Sequence, residues 1–370
     1  MSAIVELPVI NISTASVEAG KEMLDAAVEY GFLYVDSTST QFDKKTVDEM
    51  FELSRQFFKE TPFAEKDRFR ISGDNRGWSG MHSETLDPEN QERGDFKEAM
   101  NIGEFRNGKP SQQMPDSLVP HEAQIKQFQD LCRVTCLRIL EILALGLGMP
   151  QDWFATRHDA TTGPTGSVLR TLYYPNVDDP SITGYRQGID IRAGAHSDYG
   201  SMTLLFQRDG QPGLQIRTPE EKWASVPVRP SLAGAKGNAA LLDKNLTSPP
   251  ILVNIGDCLS YWTAGLLKST IHRVIFPTEV VAEGEKLDED VLRQQKEDRY
   301  SIAYFCHPVN ATELVPVPSK LVEERKNAET YEKVKELLLK TTGGFVPKNA
   351  KEHLAARLAV TYGGKVEDFM

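Results

Sequence analysis

Cysteine is scarce in this sequence. There are four in 370 residues and no CxxC pair among them, which excludes a disulfide-stapled framework and the common cysteine zinc sites. Cys132 and Cys136 are i and i+4 on an apolar helical face, so the cysteines read as reduced and buried, where a free thiol packs as a small hydrophobe. Long apolar runs are missing as well. No stretch approaches the roughly 18 uncharged residues of a membrane span. The opening MSAIVELPVINIS lacks the basic-then-apolar layout of a secretory signal. These absences argue against a membrane partner and point to a cytoplasmic location. Positive charge is outnumbered, at 42 Lys and Arg against 53 Asp and Glu for a net −11. A phosphate backbone would be repelled unless the basic residues were gathered on one face, which argues against nucleic acid.

What is present is the 40 % hydrophobic content of a globular chain with a real core. LPVINI from Leu7 and GFLYVD at 31–36 read as strands, and helical spacing runs over about 15–30 and 44–60. Val47, Met50, Phe51, Phe57 and Phe58 make one apolar stripe on the second of these helices. A long helix follows at about 121–147. After Gly163 the texture changes to short apolar runs broken by Gly, Pro, Asp and Asn: SVLRTLYYP, SMTLLFQ, GLQIR, WASVPV, ILVNIGD, CLSYWT, IHRVIF and YSIAYF. Eight short strands predict a β-sandwich or jelly roll. Helical spacing returns after Pro308 and ends in a helix over about 350–361, whose Asn349 and Glu352 fit a capping box. Two segments, 229–250 and 279–299, are longer than ordinary strand connections and read as solvated insertions, lids or partner surfaces.

The chain holds seven histidines, of which His196, His272 and His307 fall in the strand-rich part. His196 and Asp198 are two apart, so on a regular strand both face one side of the sheet and both reach one ion. A third ligand must come from elsewhere. His272, at a strand start in KSTIHRVIF, ranks ahead of His307, whose CHP context marks a loop boundary. Two imidazoles and one carboxylate on one face of an ion leave the opposite positions open, which suits Fe(II) in oxygen-activating enzymes. Arg299 and Ser301 in RYSIAYF share one strand face, where a guanidinium fork and a hydroxyl hold a carboxylate. Each feature alone has a structural explanation: a polar turn, a surface arginine, or, for the tyrosines of LYYP at 172–175, a half-buried aromatic pair.

Taken in order, these features resemble the iron(II)/2-oxoglutarate-dependent dioxygenases, in the branch that includes isopenicillin N synthase and the plant flavonoid and gibberellin oxidases. The resemblance runs through LPVINI, YGFLYV, FFKETPFAEKDRF, RGWSG and DFKEAMNIG, then through LYYP, HSDYGSMTLL, VNIGDCLSYWTAG, KSTIHRV and RYSIAYF. It implies a mixed α and β fold, with a distorted double-stranded β-helix (jelly-roll) core flanked by N-terminal and C-terminal helices. The corresponding divisions are an N-terminal region at 1–120, linking helices at 121–163, the core at 164–308 and C-terminal helices at 309–370, all in one compact unit. It further implies an iron triad of His196, Asp198 and His272, and a 2-oxoglutarate clamp of Arg299 and Ser301 with Tyr174 beside it. Leu172 and Ala264 stand where relatives commonly have Asn.

The implied cofactors are Fe(II), 2-oxoglutarate and O2, with ascorbate in support. The implied reaction is oxidation of a C–H bond of a small molecule in specialised metabolism, by hydroxylation, desaturation or ring formation, in a monomer or weak homo-oligomer. Trp78, Lys97, Met100, Tyr199 and Phe305 lie in segments that border the substrate in such enzymes, and a C-terminal helix with Leu354, Leu358 and Tyr362 is placed to cover the site. Two alternatives stay open on sequence alone: an isopenicillin N synthase-like oxidase that takes all its electrons from the substrate, and a catalytically silent jelly-roll binding module.

Overall fold

The computed structural model describes residues 3–71, 73–178, 185–186, 189–276, 297–315, 317–329 and 331–370. The N-terminal helices form where sequence spacing and caps agree. Val17–Glu29 (α1) starts at Ser16, whose side chain accepts from the Ala19 amide, and Lys44–Glu60 (α2) starts at Asp43, which accepts from Thr46. The stripe Val47, Met50, Phe51, Phe57 and Phe58 is buried. Phe63–Arg68 (α3) is short, and Glu122–Gly146 (α4) is the long helix expected from sequence. Glycine inside a helix weakens it by about 1 kcal/mol relative to Ala, yet Gly20 and Gly146 are needed here. A Cβ on Gly146 would lie 2.2 Å from the Gly20 carbonyl oxygen, so two bare backbones are what let α1 and α4 touch.

In chain order the strands are Ala3–Ile4 (β1), Val9–Ile10 (β2), Phe32–Val35 (β3), Gly77–Ser79 (β4), Glu98–Gly103 (β5), Phe105–Arg106 (β6), Lys109–Pro110 (β7), Val168–Tyr174 (β8), Ala193–His196 (β9), Met202–Gln207 (β10), Leu214–Arg217 (β11), Trp223–Ser225 (β12), Ile251–Ile255 (β13), His272–Val274 (β14) and Arg299–Cys306 (β15). The large sheet runs β2-β3-β13-β10-β15-β8-β5-β4 and the smaller one β1-β12-β11-β14-β9, with β6 and β7 as a separate pair. These sheets and helices make the jelly-roll architecture expected from the sequence. Alternation along the large sheet separates two cores. On β15, Tyr300, Ile302, Tyr304 and Cys306 pack toward the helices, while Ala303 packs between the sheets, where Arg299, Ser301 and Phe305 line a cavity. On β8, Leu169 and Tyr173 belong to the helix side, whereas Arg170, Leu172 and Tyr174 line that same cavity.

Seven of the eight expected strands are present, and CLSYWT is not one of them. It forms the helix Asp257–Trp262 (α5). A six-residue apolar run carries no decisive period. The deciding interactions are long-range: the amides of Asp257 and Cys258 turn back onto the carbonyls of Asp198 and Gly200, so the chain curls where an isolated reading extends it. Conversely, β4 and β5 have no counterpart among the strands expected from sequence. They extend the large sheet through the N-terminal region, with β5 paired to β8. After β15 come Lys320–Asn327 (α6), Tyr331–Thr341 (α7) and Ala350–Tyr362 (α8). Asn349 caps α8 by accepting from the Glu352 amide, and its own amide group donates to the Glu352 carboxylate. The 229–250 segment is tied down by the Val9 amide on the Gly234 carbonyl and by Arg229 on Asp209, and its Ala235 and Leu241 join the core that holds Ala303, but none of its residues lines the cavity. Of the other long insertion, 279–299, residues 279–296 lie outside the described residues.

Candidate metal centre and active-site cavity

His196 ends β9 and His272 begins β14, and the register sets them directly opposite one another in the smaller sheet. Asp198 stands two residues beyond the end of β9, in the turn that carries the chain across to β10 of the large sheet. The shared face expected of His196 and Asp198 therefore comes from a strand end and a turn, not from one regular strand. One donor atom from each of the three side chains lies within 4.8 Å of the others, the one such His/Cys/Asp/Glu group among the described residues. The His196 and His272 Nε2 atoms are 3.9 and 3.7 Å from the same Asp198 oxygen, Oδ1.

Partners behind each ligand fix its orientation. His196 Nδ1 sits 2.8 Å from the Gly194 carbonyl and His272 Nδ1 3.1 Å from the Thr270 carbonyl, so each Nδ1 carries the proton and each Nε2 presents a lone pair to the centre. Asp198 Oδ2 accepts from Thr203 Oγ1 at 2.6 Å and Asn254 Nδ2 at 2.7 Å, which leaves Oδ1 for an ion. Burial, reinforced by His272, pushes the His196 imidazole down to about 4 and keeps it neutral. Burial alone would raise the Asp198 carboxyl, but the two histidines and its two donors hold it below the ordinary range. Two neutral imidazoles and an ionised carboxylate are the donor set and protonation state that a divalent transition metal requires. The turn is held shut from behind by bare backbone: a Cβ on Gly256 would lie 2.3 Å from the Gly200 carbonyl.

The triad opens onto a cavity of about 600 Å³ whose far side is Arg299 and Ser301. Arg299 is 2 % exposed, donates from Nε to the Gln211 carbonyl and from Nη1 to Ser301 Oγ, and stacks its guanidinium 4.9 Å from the Tyr174 ring. Among the described residues no carboxylate pairs with it. Burial lowers its proton affinity, and Tyr174 partly restores it. A buried cation without a counter-ion is costly, and this one faces the space in which an anion would sit. Tyr174 is also the β8 residue in register with Arg299.

A second lobe of about 520 Å³ shares Leu86, Arg170, His196, Asp198 and Phe305 with the first and is completed by Asn75, Tyr199, His307 and Tyr362, among others. The remaining sequence candidates divide. Lys97, Tyr199, Phe305 and Tyr362 border the cavity. Trp78 instead donates to Glu98, and Met100 is fully buried in the helix-side core; neither lines either lobe. Leu354 and Leu358 face a neighbouring groove rather than the cavity. His307 borders the second lobe but stands outside the ligand group, its amide bonded to Ser167. Thr203, Asn254, Arg170 and Glu84 carry no sequence signal that singles them out.

α8 reaches this site through several contacts. Tyr199 Oη donates to Thr361 Oγ1 at 2.8 Å, and Tyr362 Oη approaches Glu84 at 3.4 Å. Arg357 pairs with Asp257 at 2.8 Å, and Asp257 in turn accepts from Ser197, between the two ligands of the turn.

Known proteins match along the same lines. Residues 7–122 match the family described as non-haem dioxygenase in morphine synthesis, N-terminal, and residues 165–308 match the 2OG-Fe(II) oxygenase superfamily. A UPF0676 protein of Schizosaccharomyces pombe is 34 % identical over 88 % of this chain and 88 % of its own length. The 2-oxoglutarate-dependent dioxygenase htyE of Aspergillus rugulosus is 29 % identical over 75 % of this chain and 78 % of its own. Among solved structures, a full-length Neurospora crassa protein in complex with alpha-KG and thymine superposes with a TM-score of 0.69 at 26 % identity, covering 98 % of this chain and all of that one. With a two-histidine, one-carboxylate centre facing a buried arginine across one cavity, the chain belongs to the Fe(II)/2-oxoglutarate-dependent oxygenases.

Proposed function

We propose that His196, Asp198 and His272 hold the iron of this oxygenase, that Arg299 and Ser301 with Tyr174 hold the far carboxylate of 2-oxoglutarate, and that the second lobe holds a small organic molecule whose C–H bond is oxidised. The observation that carries the assignment is Arg299, a buried guanidinium without a counter-ion among the described residues, facing the triad across one cavity. Bound iron supplies the redox chemistry by which 2-oxoglutarate and dioxygen become succinate, carbon dioxide and an oxidised substrate. The chain's own residues do the rest. Asp198 stays ionised because His272 and His196 lie beside it and Thr203 and Asn254 donate to it, and His196 stays neutral because it is buried. Arg299 sets the orientation of the cosubstrate through a forked contact, and the apolar side chains Leu86, Leu172, Leu205 and Phe305 exclude water from the reacting bond.

The thymine-bound neighbour supports a small organic molecule in the second lobe. The relative named as a 2-oxoglutarate-dependent dioxygenase and the neighbour in complex with alpha-KG favour a cosubstrate-using enzyme over an oxidase drawing all electrons from its substrate, and an intact triad speaks against a silent binding module. Purified protein given Fe(II), ascorbate and 2-oxoglutarate should release succinate. Arg299→Lys keeps the charge and loses the fork, so the 2-oxoglutarate concentration for half-maximal turnover should rise at least tenfold. An unchanged requirement would move the clamp to another residue.

A further inference from the structure

Behind the second lobe lies a cluster of four charges, of which the partly buried Arg170 lines both lobes, the buried Lys97 lines the first, and the buried Glu84 and Asp95 stand behind them. Glu84 accepts from Arg170 Nη2 and lies 3.2 Å from Lys97 Nζ, and Lys97 is also paired with Asp95. Asp95 is held in turn by Gln91 and the Gly194 amide, just ahead of the metal ligands. Burial alone would raise the Glu84 carboxyl, but Arg170 and Lys97 overcome it and keep it ionised. The cluster holds two cations and two anions, so its charge is balanced before any ligand enters.

Two features mark what it lacks. Arg170 is bonded through Nη2, and its Nε is buried with no acceptor among the described residues, although the residue lines both lobes beside His196 and Asp198. Glu84 has no spare capacity, because one oxygen faces Arg170 and Lys97 and the other accepts from Ser79 and approaches Tyr362. The described lining therefore has a donor to offer and no uncommitted carboxylate for an ammonium group. On the other side of the centre, a divalent iron, Asp198, doubly ionised 2-oxoglutarate and Arg299 also sum to zero, with the buried Arg192 a further cation near Arg299 that lines neither lobe. Around the second lobe itself the charges are matched, so a substrate carrying net charge would be buried there without a free counter-ion. The half-buried Phe305 ring and the Tyr199 and Tyr362 rings add flat apolar surface.

We infer that the second lobe selects an uncharged, flat ring compound bearing a ring carbonyl, of the cyclic amide or imide class, with its carbonyl on the Arg170 guanidinium and its ring against Phe305. This rests on the oxygenase reading above and narrows it to a substrate class. Exclusion of carboxylates comes from the charge balance, exclusion of zwitterionic amino acids from the lack of an uncommitted carboxylate for their ammonium group, and recognition of the carbonyl from the otherwise unsatisfied donor.

The test uses the full chain loaded with Fe(II) and 2-oxoglutarate without oxygen, titrated calorimetrically with uracil, 2-pyridone and glutarimide, with the matching ring carboxylates, and with proline. At least one neutral ring should bind, its carboxylate at least tenfold more weakly, and proline not measurably. Arg170→Lys preserves the pairing with Glu84 but not the guanidinium edge, and should weaken the neutral ring about tenfold or more. Glu84→Gln removes one negative charge and should improve the carboxylate at least tenfold relative to the neutral ring. If Glu84→Gln does not fold by circular dichroism, the Arg170→Lys comparison decides. The inference is overturned by binding of carboxylates or proline as tight as that of the rings, by no binding of any neutral ring, or by an unaltered ring affinity in Arg170→Lys. Succinate release by the wild-type chain without added substrate reports on the oxygenase reading separately, so either can fail while the other stands.

Discussion

At the scale of single residues, the proposed iron site depends on two side chains that do not touch the ion's position. Asp198 Oδ2 is bonded to Thr203 and Asn254, and those two bonds fix which oxygen faces the histidines. Removing such a partner typically weakens metal binding about 10–100-fold. Asn254→Leu should therefore raise the Fe(II) dissociation constant by about that factor, with Thr203→Val acting in the same direction, as measured by competition with a chromogenic chelator. Affinities equal to wild type would mean that Asp198 is oriented by the turn alone. His196, Asp198, His272, Arg299 and Ser301 are legible in the sequence as candidates through the order of several short stretches, none of which suffices alone. Thr203 and Asn254 carry no such signal: they come from β10 and β13, and only the folded sheet brings both to Asp198. Ala264 is a smaller case, since its left-handed backbone (φ 55°) is one that asparagine adopts more readily than alanine.

At the scale of elements, α8 shows both what a cap can reveal and what it cannot. Its start is readable from Asn349 and Glu352, but its packing is not, because the contacts to Tyr199, Glu84 and Asp257 span more than ninety residues. One consequence is a titrating group inside the joint. His353 is 1 % exposed, neither ring nitrogen has a partner among the described residues, and Arg357, His307 and Tyr261 face it. Burial, then Arg357 and His307, push its imidazole down to about 3. A folded-state value below the ordinary 6.5 means that the unfolded chain binds the extra proton first. The stabilisation is then complete above about pH 6.5 and is lost progressively as pH falls toward 3. Between pH 7.5 and 5 this amounts to a loss on the order of 2 kcal/mol. His353→Leu keeps the bulk and removes the proton, so its urea midpoint should fall less than that of wild type over the same interval. Parallel pH dependences in the two proteins would show that His353 is not the group responsible. His158 and His307, each lowered to about 4 chiefly by burial, contribute with the same sign and remain in the variant. The α5 segment is the converse case, an apolar run whose helical state is set by bonds to Asp198 and Gly200 that no local pattern contains.

At the scale of the whole molecule, the site lies where the two sheets meet. His196 and His272 belong to the smaller sheet, Arg299 and Ser301 to the larger, and Asp198 to the turn between them, tied back to the larger sheet through Thr203 and Asn254. Composition and run lengths are enough to indicate a jelly roll between helical flanks. They do not indicate that β4 and β5, from the N-terminal region, pair beside β8 and bring Lys97 to the cavity, because strand partners distant in sequence are chosen by the assembled core. An ion bridging residues of this joint binds the folded chain and not the unfolded one, so it stabilises by mass action, by about 2.7 kcal/mol at a hundredfold excess over its dissociation constant. Scaled to the unfolding entropy of a chain this long, the melting temperature should rise by about 3–4 °C on adding Fe(II) anaerobically. Chelator should reverse the rise. Because Asp198 must be ionised and both histidines neutral to bind, the increment should shrink in acid, and 2-oxoglutarate should add to it only when metal is present. Asp198→Ala should remove the increment while leaving the chain folded, since it deletes one ligand and no part of either core. An equal metal-induced rise in that variant would place the ion somewhere other than between the two sheets.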